Sequence, residues 1–159
     1  MQKLALALIA VGAVVVGLLF FTSSDQSRLE GEITEVRTLG MTDGASVALV
    51  NFEARNITQH PFVAYDRRLE LVDGEGKSNV GKIVQGVDLK SLFEYYPDLG
   101  GMKDEPFLHE GTIDAGKTHR GLIAARFEVS EDRLKGRQRL VLRLTDGANR
   151  PTELAEAVE

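Results

Sequence analysis

Two hydrophobic patterns divide the chain. From Leu4 to Phe21 the residues are apolar throughout, with only Gly12 and Gly17 between the larger side chains. Beyond Ser24 apolar and polar residues alternate instead. In Val47 to Ile57, Ala48, Val50, Phe52 and Ala54 share one face while Asn51, Glu53 and Arg55 share the other, the period of two that a half-buried strand requires. Phe62 to Val72 repeats the pattern with Val63, Tyr65, Leu69 and Leu71 inward, and Arg67 breaks the row as a bulge or an edge position would. Asp73-Gly74-Glu75-Gly76 then suits a hairpin turn, with Ser78 to Val84 returning alongside. Gly121, Ile123, Ala125, Phe127 and Val129 form a further inward row, and Leu140, Leu142 and Leu144 another. Glu32 to Leu39, rich in Thr, Ile and Val, opens the domain, and Thr42-Asp43-Gly44 turns the chain into its next strand. Six or seven strands joined by turns predict an all-β fold, an antiparallel β-sandwich of two packed sheets.

One stretch departs from this rhythm. After Gly86, residues Leu89, Leu92, Phe93 and Tyr96 recur at i, i+3, i+4 and i+7, with Asp88 as N-cap and Pro97 as terminator. The spacing predicts a short amphipathic helix within an insertion over 86–110, which is long for a sandwich connection. It also holds a local concentration of aromatics: Phe93, Tyr95, Tyr96 and Phe107, in a chain with 7 Phe, 3 Tyr and no Trp. Insertions of this kind often carry function, and these four are the candidate partner-binding residues. Tyr95 falls off the apolar stripe and is the one expected to be exposed. The competing role for the aromatics is a lid over an open end of the sandwich.

The N-terminal run is long enough to change the picture of where the chain sits. At 1.5 Å per residue it would span roughly 27 Å, close to the hydrocarbon thickness of a bilayer. Lys3 favours a cytoplasmic N-terminus, which puts the remainder on the extracytoplasmic side, periplasmic or at the cell surface. Cleavage as a signal peptide after Thr22-Ser23-Ser24 is the alternative and would give a secreted domain; the length of the run and the lack of an A-x-A site favour retention. The organisation expected is a transmembrane anchor over 1–24, a linker over 25–29, the β domain over 30–146 with its insertion, and a polar frayed tail over 147–159.

Charge and composition mainly exclude. With Lys3 set aside, 18 basic face 24 acidic side chains, a poor balance for nucleic acid. The chain has no cysteine, hence no disulfide, thiolate nucleophile or lipid-attachment site. His60, His109 and His119 are far apart and show no paired spacing, so exposed loop histidines are expected and no metal or cofactor is indicated. No G-x-S-x-G elbow, P-loop or dinucleotide fingerprint is present, and no acid/base pair stands out. Asp73-Gly-Glu-Gly-Lys is a hairpin rather than a calcium loop, and Asn56-Ile57-Thr58 matches a glycosylation acceptor by chance.

Three turn motifs remain: Asn56-Ile-Thr58 ending a strand, Leu71-Val-Asp-Gly-Glu-Gly76 closing another, and Ala115-Gly-Lys-Thr118 leading to Gly121 and Phe127-Glu-Val129. Together they resemble those of the immunoglobulin-like domains that bacteria display on single anchors or as lipoproteins, similar to the immunoprotective extracellular protein family. Alanine stands at 115 where that pattern has proline, the lipid-bearing cysteine is missing, and the helical insertion is extra. The resemblance spans roughly Val47 to Asp146 and implies a fold more than an activity. It carries no shared catalytic residues, so none are transferred. The expectation is a non-enzymatic envelope module that contacts another envelope protein, with a small-ligand or glycan receptor as the alternative; the lack of tryptophan disfavours sugars.

Overall fold

The computed structural model describes residues 28–156. The expected anchor therefore lies outside the described residues, among which no helix is long and apolar enough to cross a membrane. The strands are β1 (Leu29–Gly40), β2 (Ser46–Asn56), β3 (Phe62–Ala64), β4 (Asp66–Val72), β5 (Ser78–Ile83), β6 (Gly111–Ile113), β7 (Thr118–Phe127), β8 (Arg139–Thr145) and β9 (Pro151–Ala155). Helix α1 (Gly86–Tyr95) and a 3-10 turn (Pro97–Leu99) lie between β5 and β6, and α2 (Glu131–Lys135) between β7 and β8.

The antiparallel all-β expectation holds. Seven strands form one sheet in the order β1-β2-β7-β5-β4-β8-β9, every ladder antiparallel, and β3 pairs β6 separately. A parallel bridge between Ile33 and Glu156 brings the first and last strands together, so the sheet curls almost into a barrel. Closure of this kind leaves little free edge. The inward rows read from the sequence fill the interior: Ala48, Val50, Phe52 and Ala54 of β2, Ile123, Ala125 and Phe127 of β7, and Leu140, Leu142 and Leu144 of β8 are all buried in one cluster. The β4–β5 hairpin forms as expected, with Gly76 at φ 80° in its turn and the Asp73 side chain accepting from the backbone N–H of Glu75 and Lys77.

Between β5 and β7 the wall is thin. Only Lys82 and Ile83 of β5 reach β7, opposite Arg126 and Ala125, before the chain leaves for α1. Gly81 makes even this approach possible, because a Cβ there would stand 2.7 Å from the Phe127 ring.

Three expectations change. Phe62 to Val72 is two strands rather than one: Phe62 and Ala64 point inward, Tyr65 is half exposed, and parity resumes with Leu69 and Leu71. The chain changes partner there, from β6 to β8, so Val63 and Tyr65 do not share the inward face of Leu69. The segment from 147 is not a frayed tail, since Pro151–Ala155 pairs with β8 and buries Thr152 and Leu154. His119 is not an exposed loop histidine; it lies in β7 with its ring 5.1 Å from that of Phe107 and 6.4 Å from that of Phe52.

Candidate functional site

The insertion lies on the outside of the near-barrel. Val47 and Leu49 of β2 and Leu122 and Ala124 of β7 point away from the interior, and Leu89 and Leu99 cover them to make a second core. Leu92 and Phe93 pack against the same cluster, so the predicted stripe is the buried face of α1. The helix begins before Asp88, with Gln85 at its N-cap, and Asp88 sits in the first turn where its charge suits the helix N-terminus. Pro97 opens the 3-10 turn, and Gly100, at φ 74°, lets the chain reverse.

Two devices hold the insertion in place. At its near end the Arg37 side chain of β1, 14% exposed, donates to the Leu99 and Gly101 carbonyls at 2.7 and 3.1 Å and to Asn51 Oδ1 at 3.1 Å. Its guanidinium also stands 5.5 Å from the centre of the Phe93 ring. Asn51 Nδ2 in turn donates to Asp104 at 2.5 Å, and Lys103 pairs with Glu35 at 2.6 Å. At its far end, residues 105–107 occupy the space that β5 vacates. Leu122 N–H donates to Glu105 and Phe107 N–H to Leu122, both at 2.9 Å, and the Arg67 guanidinium donates to the Phe107 carbonyl.

These contacts sort the four candidate aromatics. Phe107 belongs to the core, 4% exposed and edge-on to Phe52 at 5.4 Å, which removes it from any contact surface of the folded domain. Phe93 is half-buried beneath Arg37. Tyr95 is 80% exposed, as its position off the stripe implied, and Tyr96 is partly exposed. Two further apolar residues join the surface, Val87 and Leu108, exposed by 79% and 53%. Val87 stands opposite the buried stripe on the helical wheel and was legible in the same way as Tyr95; Leu108, in an irregular segment, carried no signal. Between α1 and residues 105–108 runs an open groove lined by Val87, Lys90, Ser91, Glu94, Pro106 and Leu108.

The opposite end of the domain is where the chain enters. Arg28 pairs with Asp146 at 3.0 Å, and the Arg28 carbonyl accepts from Ile57 N–H. Asp146, with a side chain 2% exposed, also accepts from the backbone N–H of Ala148 and Arg150 at 2.9 Å each and pairs with the Arg150 guanidinium at 3.0 Å. Burial pushes its carboxyl up, but the Arg150 N–H, the Arg28 and Arg150 guanidinium groups and the Ala148 N–H together hold it below the ordinary value. A carboxyl whose folded pKa lies below its unfolded one contributes stability that is complete above about pH 4 and is lost as pH falls through the folded value. The urea midpoint is therefore expected to drop steeply below about pH 4, and Asp146→Asn to flatten that dependence while lowering the midpoint at neutral pH. Parallel pH profiles for the two proteins would refute this role.

Among the described residues no three His, Asp or Glu side chains come together as a metal site. His60 and His109 are exposed. What the arrangement offers is a clamped helix with an apolar, aromatic and charged outer face. No protein-family model, curated protein sequence or solved structure matches the chain.

Proposed function

We propose that this chain is a non-enzymatic, membrane-anchored interaction or assembly module of the cell envelope, with an immunoglobulin-like domain held on the extracytoplasmic side. The observation that carries this reading is the outer surface of the insertion: Val87, Tyr95 and Leu108 are more than half exposed on a segment fixed by Arg37 and by the 105–107 ladder. Apolar and aromatic side chains exposed on a rigid support are what a binding surface needs, because little ordering cost is left for the encounter.

Placement supports the same reading. The chain enters at Arg28, beside Asn56 at one end of β2, whereas α1 packs over Leu49 and Val47 towards the other end. Seven residues of strand separate Leu49 from Asn56, about 24 Å at the antiparallel rise. With a tether in residues 1–27, α1 would stand clear of the bilayer, while the end of the insertion returns towards Asn56.

Strand order suits an immunoglobulin-like domain, and the likeness to the immunoprotective extracellular family rests on the turn motifs of the sequence. With β3 and β6 set aside, β1-β2-β7-β5 follows the A-B-E-D order of such domains and β4-β8-β9 their C-F-G order, with β5 serving both sheets. The test is a photo-crosslinking residue at position 95 of the full chain in intact cells. A discrete crosslinked protein is expected; a pattern no different from that of the same probe at Val80, exposed on β5, would overturn the proposal.

The groove between α1 and residues 105–108 favours a second reading, a receptor for a small amphipathic ligand. Val87, Pro106 and Leu108 supply apolar contact there, and Lys90, Glu94 and Glu105 polar partners. A thermal-shift screen that finds stabilisation by a defined small molecule, abolished by Leu108→Glu, would favour this reading over the first.

A further inference from the structure

The outer face of α1 is complementary to itself. At about 100° per residue, Val87, Lys90, Ser91, Glu94 and Tyr95 fall within an arc of roughly 140°, opposite the buried Leu89, Leu92 and Phe93. Their order is apolar, basic, small, acidic, aromatic. Laid antiparallel against a copy of itself about a two-fold axis near Ser91, the face brings Val87 to the second copy's Tyr95 and Lys90 to its Glu94, and the symmetry repeats both contacts. Lys90 and Glu94 are exposed, and neither makes an ion pair with another described residue, so both are available. Ser91 is small and half-buried, with its hydroxyl turned back to the Val87 carbonyl, so the helices can approach closely at the axis. Leu108 lies beside the start of the helix, 3.1 Å from where a Gly86 Cβ would stand, and with Val87 and Pro106 it forms an apolar shelf for the incoming tyrosine ring.

We infer that the partner of the insertion is a second copy of this chain, docked through antiparallel α1 helices. The inference rests on the insertion being a contact surface and adds the identity of what it contacts. One helix pair and two shelves make a small interface, so the pairing depends on the high local concentration that anchoring in one membrane provides.

The absence of native cysteine gives a clean test. In the full chain, in its membrane, Ser91→Cys places a thiol at the axis, where mild oxidation is expected to give a disulfide-linked dimer; Val80→Cys, on an exposed position of β5, is expected to give none. Lys90→Glu and Glu94→Lys each put like charges together at two symmetric contacts and are expected to lower the dimer yield roughly fivefold. The double exchange, Lys90→Glu with Glu94→Lys, restores the pairing and is expected to restore the yield. Dimer yields indifferent to the single reversals, or not rescued by the double exchange, would overturn the antiparallel arrangement. Linkage of position 91 or 95 to a different protein would overturn the second copy as partner while leaving the insertion a contact surface. No product from either position would overturn both.

Discussion

Arg37→Ala is expected to lower the stability of the domain by about 3 kcal/mol: hydrogen bonds from a charged donor contribute roughly 1.5–3 kcal/mol each, two part-buried ones are lost, and water replaces the third at the exposed Gly101 carbonyl. The Leu99 carbonyl and Asn51 would remain in a largely buried setting without their donor. Asn51 is itself 2% exposed and fixes Asp104, so the deletion spreads to residues 99–104. The 105–107 ladder does not pass through Arg37, and that end of the insertion is expected to stay docked. Two readouts separate these effects. The urea midpoint reports the global loss, and tryptic cleavage at Lys90 and Lys103 reports local opening of α1 and the turn after it. Faster cleavage at those two sites is expected, with sites in β8 protected. Arg37→Lys retains the charge but not the planar fork that reaches two carbonyls and an amide together, so a substantial part of the loss is expected to persist. A midpoint unchanged in Arg37→Ala would show that the apolar face and the 105–107 ladder hold the insertion without the clamp.

The same residue shows where reading the sequence stops. Alternation places Arg37 on a strand face beside Val36 and Thr38, where it resembles any solvated charge; what makes it a clamp is a pair of carbonyls some sixty positions later. Asn51 shares this fate, because its neighbours Glu53 and Arg55 do point outward while Val47 and Leu49, on the same face, are covered by α1. A strand buried on both faces over part of its length loses its alternation as evidence. β9 was hidden for another reason: it opens with Pro151 and buries only Thr152 and Leu154, a pattern too short to stand out from a polar tail. α2 is a five-residue helix in which one Ser130 cap and one buried Leu134 replace any periodicity. By contrast the inward rows, the Asp73 to Gly76 turn and the stripe of α1 were legible because each is a local pattern repeated often enough to have one interpretation. Tyr95 was legible for the same reason, as a gap in a stripe.

Asn56→Leu is expected to cost about 3 kcal/mol, because it takes the side-chain partner from the buried Ile113 carbonyl and from the Thr58 N–H at once and leaves the His60 carbonyl with the Thr58 hydroxyl as its remaining side-chain donor. The side chain is fully buried at the end of β2 and uses both of its ends: Nδ2 donates to the carbonyls of His60 and Ile113 at 2.8 and 2.9 Å, and Oδ1 accepts from the N–H and hydroxyl of Thr58 at 3.0 and 2.8 Å. It ties the turn after β2 to β6, close to where the chain enters the domain. That burial also excludes Asn56-Ile57-Thr58 as a glycan acceptor in the folded state, since the amide nitrogen is already committed. Asn56→Asp separates shape from chemistry. It preserves the volume and the Thr58 contacts but turns the donor into an acceptor facing two carbonyl oxygens, so its cost is expected to match or exceed that of Asn56→Leu at neutral pH. If cavity filling rather than hydrogen bonding were the role of Asn56, the aspartate variant would be close to wild type and only the leucine variant would lose stability. Amide hydrogen exchange distinguishes the outcomes residue by residue: faster exchange across Gly111–Ile113 is expected in both variants, and at Thr58 in Asn56→Leu, which alone removes the Oδ1 acceptor. Protection at β6 that survives the aspartate substitution would remove Asn56 as the link between the β2 end and the small sheet.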